Sequence, residues 1–266
     1  MKLIISIFFI LIAFTSSAQD STFKFVDSIQ GDYVDFTVDN LGNYYLLTTN
    51  NQLKKLNAKT DSMGMFNDVR RYGKLFSIDA SNPLKVLLYY KSYSTVVVLD
   101  RFLNVLNTID FRKQNIFQVK AIAQSYDNQI WVYDEQDSKL KKIADDGKVL
   151  FETVDFRIIF DEVPSPAQIF DQDGFVYLYD PEKGIYVFDI YGSIKTKISF
   201  LGLSSLSIFG KTIVGIDNQQ LFAYTSGTLT EQRIHLPYSI AQRQKVVITP
   251  GHLYVLKNGT VLHFTF

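Results

Sequence analysis

The 266-residue chain has no cysteine, only six prolines, three histidines and a single tryptophan. Without thiols it can build no disulfide framework, no cysteine-ligated metal site and no thiol-linked lipid anchor. It also lacks a charge surplus of either sign. Its 27 Lys and Arg balance 27 Asp and Glu, which argues against a generic nucleic-acid binder, whose affinity depends on excess basic residues. No G-x-S-x-G, H-E-x-x-H, glycine-rich phosphate loop or C-x-x-C occurs, so the common hydrolase, protease and nucleotide-binding motifs are missing. No stretch sustains a 3.6-residue apolar period, so little helix is expected. What the chain does have is apolar material, 47% of its residues, 15% aromatic. That excludes disorder and provides for a proper core.

The first twenty residues read as an export signal. Lys2 supplies the positive start, Leu3 to Phe14 is apolar apart from Ser6, and Ser16-Ser17-Ala18 offers small residues for cleavage after Ala18. The apolar run is 12 residues, too short to cross a hydrocarbon core of roughly 30 Å as a helix. The competing reading is an uncleaved anchor. The expectation is therefore an exported protein, periplasmic or on the cell surface, with residues 19–266 as one domain. No transmembrane segment is expected after cleavage. In an oxidising compartment, a fold without disulfides must stand on packing alone.

A repeat runs through the rest. Strand-like apolar runs, each after a polar turn, centre on Tyr45, Leu87, Trp131, Tyr177, Val214 and Tyr254, with spacings of 42, 44, 46, 37 and 40 residues. A period of about 42 fits four-stranded propeller blades. The fourth unit shows the order: Ala167 to Phe170, a turn at Asp171-Gln172-Asp173-Gly174, Phe175 to Tyr179, a turn at Asp180 to Gly184, Ile185 to Asp189, and an outer strand in Ser193 to Phe200. The sixth unit, Lys245–Thr249, His252–Lys257 and Thr260–Phe266, stops one strand short. Thr22 to Ile29 can supply the missing outer strand and remove an open edge. The predicted fold class is all-β: a six-bladed β-propeller closed by its own N-terminal strand.

Asp39-Asn40-Leu41-Gly42-Asn43-Tyr44-Tyr45-Leu46-Leu47 resembles an NHL-type repeat, and Asp173 to Asp180 and Asn128 to Asp134 are similar. The resemblance covers roughly residues 22–266 and implies the TolB-like six-bladed class, which includes binding modules and several unrelated enzymes. One rival fold is an outer-membrane barrel, suggested by the alternating end Leu262 to Phe266. Thr95 to Leu99 and Ile158-Ile159-Phe160 argue against it, because they offer no polar lumen face.

Few residues promise chemistry. His235, His252 and His263 lie at no metal-ligand spacing; His252 and His263, eleven apart, could face each other across adjacent strands. Asp171 to Gly174 and Asp145-Asp146-Gly147 resemble fragments of calcium loops but lack the further ligands, and read as turns. Asn258-Gly259-Thr260 matches a glycosylation acceptor, yet Asn-Gly between strands is better explained as a type I′ turn. Some enzymes of the resembled class hold an axial divalent cation. Here the inner strands offer only Asp35 and Asp79 as carboxylates, beside neutral Gln124, Ser207 and Thr249. No metal or other cofactor is expected.

The loops running from one blade's outer strand to the next blade's inner strand carry the main signal. Three open alike, Asp68-Val69-Arg70, Asp110-Phe111-Arg112 and Asp155-Phe156-Arg157, amid Arg71, Lys74, Lys113, Lys120, Arg243 and Lys245 with Tyr72, Phe117, Phe160 and Tyr238. The other end collects Asp39, Asp61, Asp79, Asp127, Asp145, Asp146, Asp171 and Asp173. A ring basic at one end and acidic at the other is expected. The candidate partner-binding residues are Arg70, Arg71, Tyr72, Lys74, Arg112, Lys113, Phe117, Arg157, Tyr238 and Arg243. Arginine forks take carboxylates and aromatic faces stack on sugars or side chains, so the expected partner is a protein, peptide or anionic glycan of the cell envelope. The plainer reading is that each Asp-x-Arg closes a local ion pair. The functional expectation is an interaction module without catalysis. The alternatives are a metal-dependent lyase- or lactonase-like propeller enzyme and an envelope scaffold subunit acting through its blade edges.

Overall fold

In a computed structural model, residues 23–228, 230–237, 240 and 243–266 are described. The export signal lies outside them. Six separate four-stranded antiparallel sheets form a ring, so the barrel is excluded and the six-bladed propeller stands. The first strand to appear, β1 (Lys24–Ile29), belongs to the last blade. Blade 1 is β2 (Tyr33–Val38), β3 (Tyr44–Thr48), β4 (Leu53–Leu56) and β5 (Ser62–Phe66). Blade 2 is β6 (Ser77–Asp79), β7 (Lys85–Tyr90), β8 (Thr95–Asp100) and β9 (Val105–Asp110). Blade 3 is β10 (Val119–Gln124), β11 (Ile130–Asp134), β12 (Lys139–Ile143) and β13 (Val149–Glu152). Blade 4 is β14 (Gln168–Gln172), β15 (Phe175–Asp180), β16 (Gly184–Asp189) and β17 (Ile194–Ile198). Blade 5 is β18 (Ser204–Phe209), β19 (Thr212–Asp217), β20 (Gln220–Thr225) and β21 (Thr230–His235). Blade 6 is β22 (Lys245–Thr249), β23 (His252–Lys257) and β24 (Thr260–Thr265).

The missing strand of blade 6 is supplied as the sequence suggests: β1 pairs with β24 from Lys24↔Thr265 to Ile29↔Val261, broken by a bulge between Phe25 and Asp27. This pairing covers the free edge of β24 and holds the two ends of the described chain together. The adjoining hairpin turn Asn258-Gly259 has both residues left-handed, φ 50° and 76°, which confirms the type I′ geometry. The Gly259 carbonyl accepts from Tyr33 N at 3.1 Å, tying that turn to the start of blade 1. In blade 4, β14 runs two residues beyond the expected end, to Gln172. The turn is thus only Asp173-Gly174, and Asp171 belongs to the strand.

Second and third strands are buried on both faces because every blade is sandwiched. Apolar clusters sit between neighbouring sheets, such as Leu87, Val96, Val98, Ile130 and Val132 between blades 2 and 3. The inner strands are tied by polar bonds as well. Asp171 Oδ2 accepts from Trp131 Nε1 at 2.7 Å and Ser125 Oγ at 2.9 Å, and Asp79 Oδ2 accepts from Gln124 N at 2.7 Å. Blade 3 is therefore gripped from both sides. A second device recurs in the repeat. Directly across from a second-strand aromatic stands a cation or imidazole: Lys55 Nζ lies 4.8 Å from the Tyr45 ring, Lys142 Nζ 4.5 Å from Trp131, and His263 stacks 4.4 Å from Tyr254. Burial pushes the Lys55 ammonium below its usual range, against the pull of Asp39 and Asp100.

Candidate functional site

Antiparallel order puts the blade-to-blade loops at one end of the ring, together with the turns between second and third strands. The remaining turns lie at the other end. The three Asp-x-Arg segments open short helical turns, but two of them are structural plugs. Phe111 and Phe156, the middle residues, are completely buried. Asp110 and Asp155 cap their turns by accepting from Arg112 N at 3.0 Å and Arg157 N at 2.9 Å. The same carboxylates hold the arginine side chains, with Arg112 Nη2 at 2.9 Å from Asp110 Oδ2 and Arg157 Nη2 at 2.6 Å from Asp155 Oδ2. Those side-chain bonds hold both carboxyls below their ordinary range. Arg112 and Arg157 thus follow the plainer reading of a closed local pair.

The first copy departs from the pattern. Its middle residue is Val69, too small to plug the ring, and it is exposed; Asp68 makes no capping bond, and Asn67 Oδ1 accepts from Val69 N instead. Arg70 is left without a counter-ion. Around it, Arg71, Lys74, Lys91 and Lys113 are also exposed and have no carboxylate within ion-pair distance among the described residues. Arg71 rests 5.0 Å from the Tyr72 ring centre, and Lys91 lies 4.9 Å from that of Phe76. Exposed aromatic rings stand among these cations: Phe76, Tyr93 and Phe117, with Phe117 52% exposed. Tyr72 itself is core, packed on Tyr90 at 5.2 Å, and it reaches outward only through its hydroxyl, 3.2 Å from Thr108 Oγ1.

Beside the cations a groove of about 410 Å³ runs along the outer strand of blade 2, lined by Arg71, Tyr72, Tyr93, Thr108, Arg112 and Lys113 with Asp110 and Asp146. It brings together four of the residues nominated from sequence. Arg243 is not among them; it lines a second hollow, between blades 5 and 6. Tyr238 lies outside the described residues. Phe160 is half-buried against Tyr186 and Phe188. Lys91, Phe76 and Tyr93 were missed by sequence reasoning. Tyr93, an aromatic between two serines in a polar turn, carried the visible signal.

The expected polarity between the two ends is not what forms. While Asp61, Asp146 and Asp173 stay exposed, five of the eight opposite-end carboxylates are turned to structural work: Asp127 pairs with Lys142 at 2.9 Å and Asp145 with Lys85 at 2.5 Å. Asp39 bonds Asn43 and the Tyr45 hydroxyl, while Asp79 and Asp171 join blades. Charge is instead divided within the loop end. The sector over blades 1 and 2 carries the five unpaired cations, and the loop and turn over blade 4 carry exposed Asp161, Glu162 and Glu182. Near the axis Asp35 is occupied by Lys245 at 2.5 Å, and Ser207 Oγ donates to the Ile248 carbonyl at 3.2 Å. Among the described residues no three His, Asp or Glu side chains converge as a metal site. No helix among them is long and apolar enough to cross a membrane.

Neither the family models nor the curated proteins give a match. Solved structures do. The chain is similar to virginiamycin B lyase from Staphylococcus aureus, at 12% identity over 92% of this chain and 99% of that one, with a TM-score of 0.61. It is similar to BamB from Moraxella catarrhalis at 12% identity over 92% and 98%, TM-score 0.53. A chain of the mitotic checkpoint complex matches at 9% identity over 87% and 73%, TM-score 0.57. At such identities the likeness establishes the propeller fold. The neighbours include both an enzyme and a member of a protein assembly, so the fold alone does not choose between them.

Proposed function

We propose that this chain is an exported, non-catalytic propeller of the cell envelope that docks an acidic protein or peptide on the loop end above blades 1 and 2. One observation carries the reading: Arg70, Arg71, Lys74, Lys91 and Lys113 stand exposed and unpaired beside the exposed rings of Phe76, Tyr93 and Phe117. Exposed cations that no carboxylate holds in an ion pair can steer and receive a negative surface, and exposed aromatics provide the apolar anchor that interfaces favour. The export half of the proposal rests on Lys2, the Leu3–Phe14 run and Ser16-Ser17-Ala18. An anionic glycan is the alternative ligand for the same cations.

The test reverses charge on three of the five, Arg70→Glu, Arg71→Glu and Lys113→Glu, all on exposed side chains. Wild-type and variant proteins are compared as baits on envelope extract. Capture of the same proteins is expected to fall at least tenfold and to weaken with added salt. Identical capture by both baits would refute the site. Capture of polysaccharide in place of protein would assign the same cations to a glycan.

A further inference from the structure

Arg243 opens a separate question. It precedes β22, the inner strand of blade 6, and reaches across to blade 5, where its Nη2 donates to the Asn218 carbonyl at 2.8 Å. That neutral oxygen is its only bonded partner among the described residues. The carboxylate nearest in sequence to this corner, Asp217, is already held by Arg233, which also pairs with Glu231 at 2.7 Å. Lys245, two residues after Arg243, is committed to Asp35. Burial pushes the guanidinium below its usual range, and no acid here pulls it back.

The hollow it borders measures about 380 Å³ and is lined, among the described residues, by Ser204, Ser205, Asn218, Gln244 and Lys245 with one apolar residue, Val246. No carboxylate is in that lining. Ser205 has a left-handed backbone, φ 56°, at the bulge that opens β18, between Ser204 and Ser207. A non-glycine residue held there reflects a wall shaped by its surroundings.

We infer that this hollow between blades 5 and 6 binds the carboxylate end of a small ligand, gripped by Arg243. A guanidinium has five N–H donors; one meets Asn218, which leaves a fork free for a two-oxygen acceptor. One uncommitted cation matches a single negative charge, whereas a phosphate dianion would call for a second. The volume exceeds what a carboxylate group needs, so the group belongs to something larger, a peptide C-terminus or a sugar acid. This site is distinct from the docking sector over blades 1 and 2 and does not depend on it.

The purified protein is titrated calorimetrically with N-acetyl-dialanine, its C-terminal amide, and glucuronate. Saturable binding of at least one acid, with the amide at least tenfold weaker, is the expected result. Arg243→Gln should weaken that acid by tenfold or more, Arg243→Lys by less, because lysine keeps the charge and loses the fork. The dialanine acid binding better identifies a peptide end; glucuronate binding better identifies a sugar acid. The double variant Arg71→Gln, Lys113→Gln should bind the acid as wild type does, which separates this hollow from the loop-end cations. The inference is overturned if neither acid binds, if the amide binds equally well, or if Arg243→Gln leaves the affinity unchanged while the protein remains folded by circular dichroism.

Discussion

His252 Nδ1 lies 2.9 Å from His263 Nε2, joining β23 to β24 beside the seam where the ring closes. The other nitrogen of His263 faces Asp27 Oδ1 at 3.3 Å, on β1. Each of those two atoms is buried with no other partner among the described residues. The order that satisfies all three groups has His252 Nδ1–H donating to a bare His263 Nε2, and His263 Nδ1–H pointing at Asp27. Tyr254 stacks on His263 and meets Tyr44 of blade 1 edge-on at 5.6 Å. In that order His263 is neutral and sits beside the β1–β24 pairing that closes the ring.

Burial, aided by His252 and opposed by Asp27, holds His263 below its usual range. A base depressed in the folded state binds more protons when unfolded, so its contribution to stability is present above the ordinary histidine pKa of about 6.5 and is lost as pH falls below it. The melting temperature is expected to drop between pH 7 and pH 5, with β1 amides exchanging first. His263→Gln, which cannot gain the proton, should flatten that part of the profile. An unchanged profile in the variant would show that the seam does not titrate there.

Lys141 is the best-buried cation of an ion pair, its side chain 6% exposed against 1% for Asp134 at 2.8 Å, with Asp137 also at 2.5 Å. Burial alone would lower its pKa, but the two carboxylates keep it raised. Lys141→Met strands Asp134 in the interior and should cost about 3–5 kcal/mol in urea denaturation. Lys139→Met, which breaks the more open pair with Glu152, should cost less than about 1 kcal/mol.

The Asp-x-Arg loops make a sharp contrast between neighbours. Phe156 is fully buried, stacked on Phe188 at 5.1 Å and edge-on to Phe160 at 5.5 Å. Phe156→Ala should lower stability by about 3–5 kcal/mol. Arg157→Ala, which removes an exposed side chain, should leave the denaturation midpoint close to wild type. Equal losses in the two variants would contradict the plug assignment.

Two glycines with nearly the same backbone separate conformational cost from crowding. Gly174 has φ 78° and open space around a built Cβ; Gly259 has φ 76°, and its Cβ would stand 2.6 Å from the Gly31 carbonyl oxygen. Gly174→Ala should cost about 1–2 kcal/mol from the left-handed backbone alone. Gly259→Ala should cost more, measured by thermal unfolding, since the seam must also part.

The Asp-x-Arg repeat shows what sequence could and could not reveal. The three copies look alike as letters, yet Phe111 and Phe156 pin their loops while Val69 does not, and only Arg70 is left unpaired. Likewise Asp171 sat in what read as a turn, but β14 extends through it and its carboxylate reaches Trp131 of the preceding blade. The burial of Phe111 and Phe156 and the bond from Trp131 to Asp171 were set by neighbours distant along the chain, whereas Arg112 and Arg157 are held by carboxylates two residues away.

The chain by itself determined the six-fold period, the nearly helix-free architecture, the Asn258-Gly259 turn and the loan of β1 to the last blade. Strand alternation and turn preferences are local, and a sheet one strand short leaves an edge that a spare strand satisfies. Only the tertiary structure decided which charges are free. Arg112 pairs with Asp110 in its own loop, but whether Arg70 or Arg243 has a counter-ion depends on which carboxylate the ring brings within a few ångströms. That is why the expected basic and acidic ends became a basic and an acidic sector of one end.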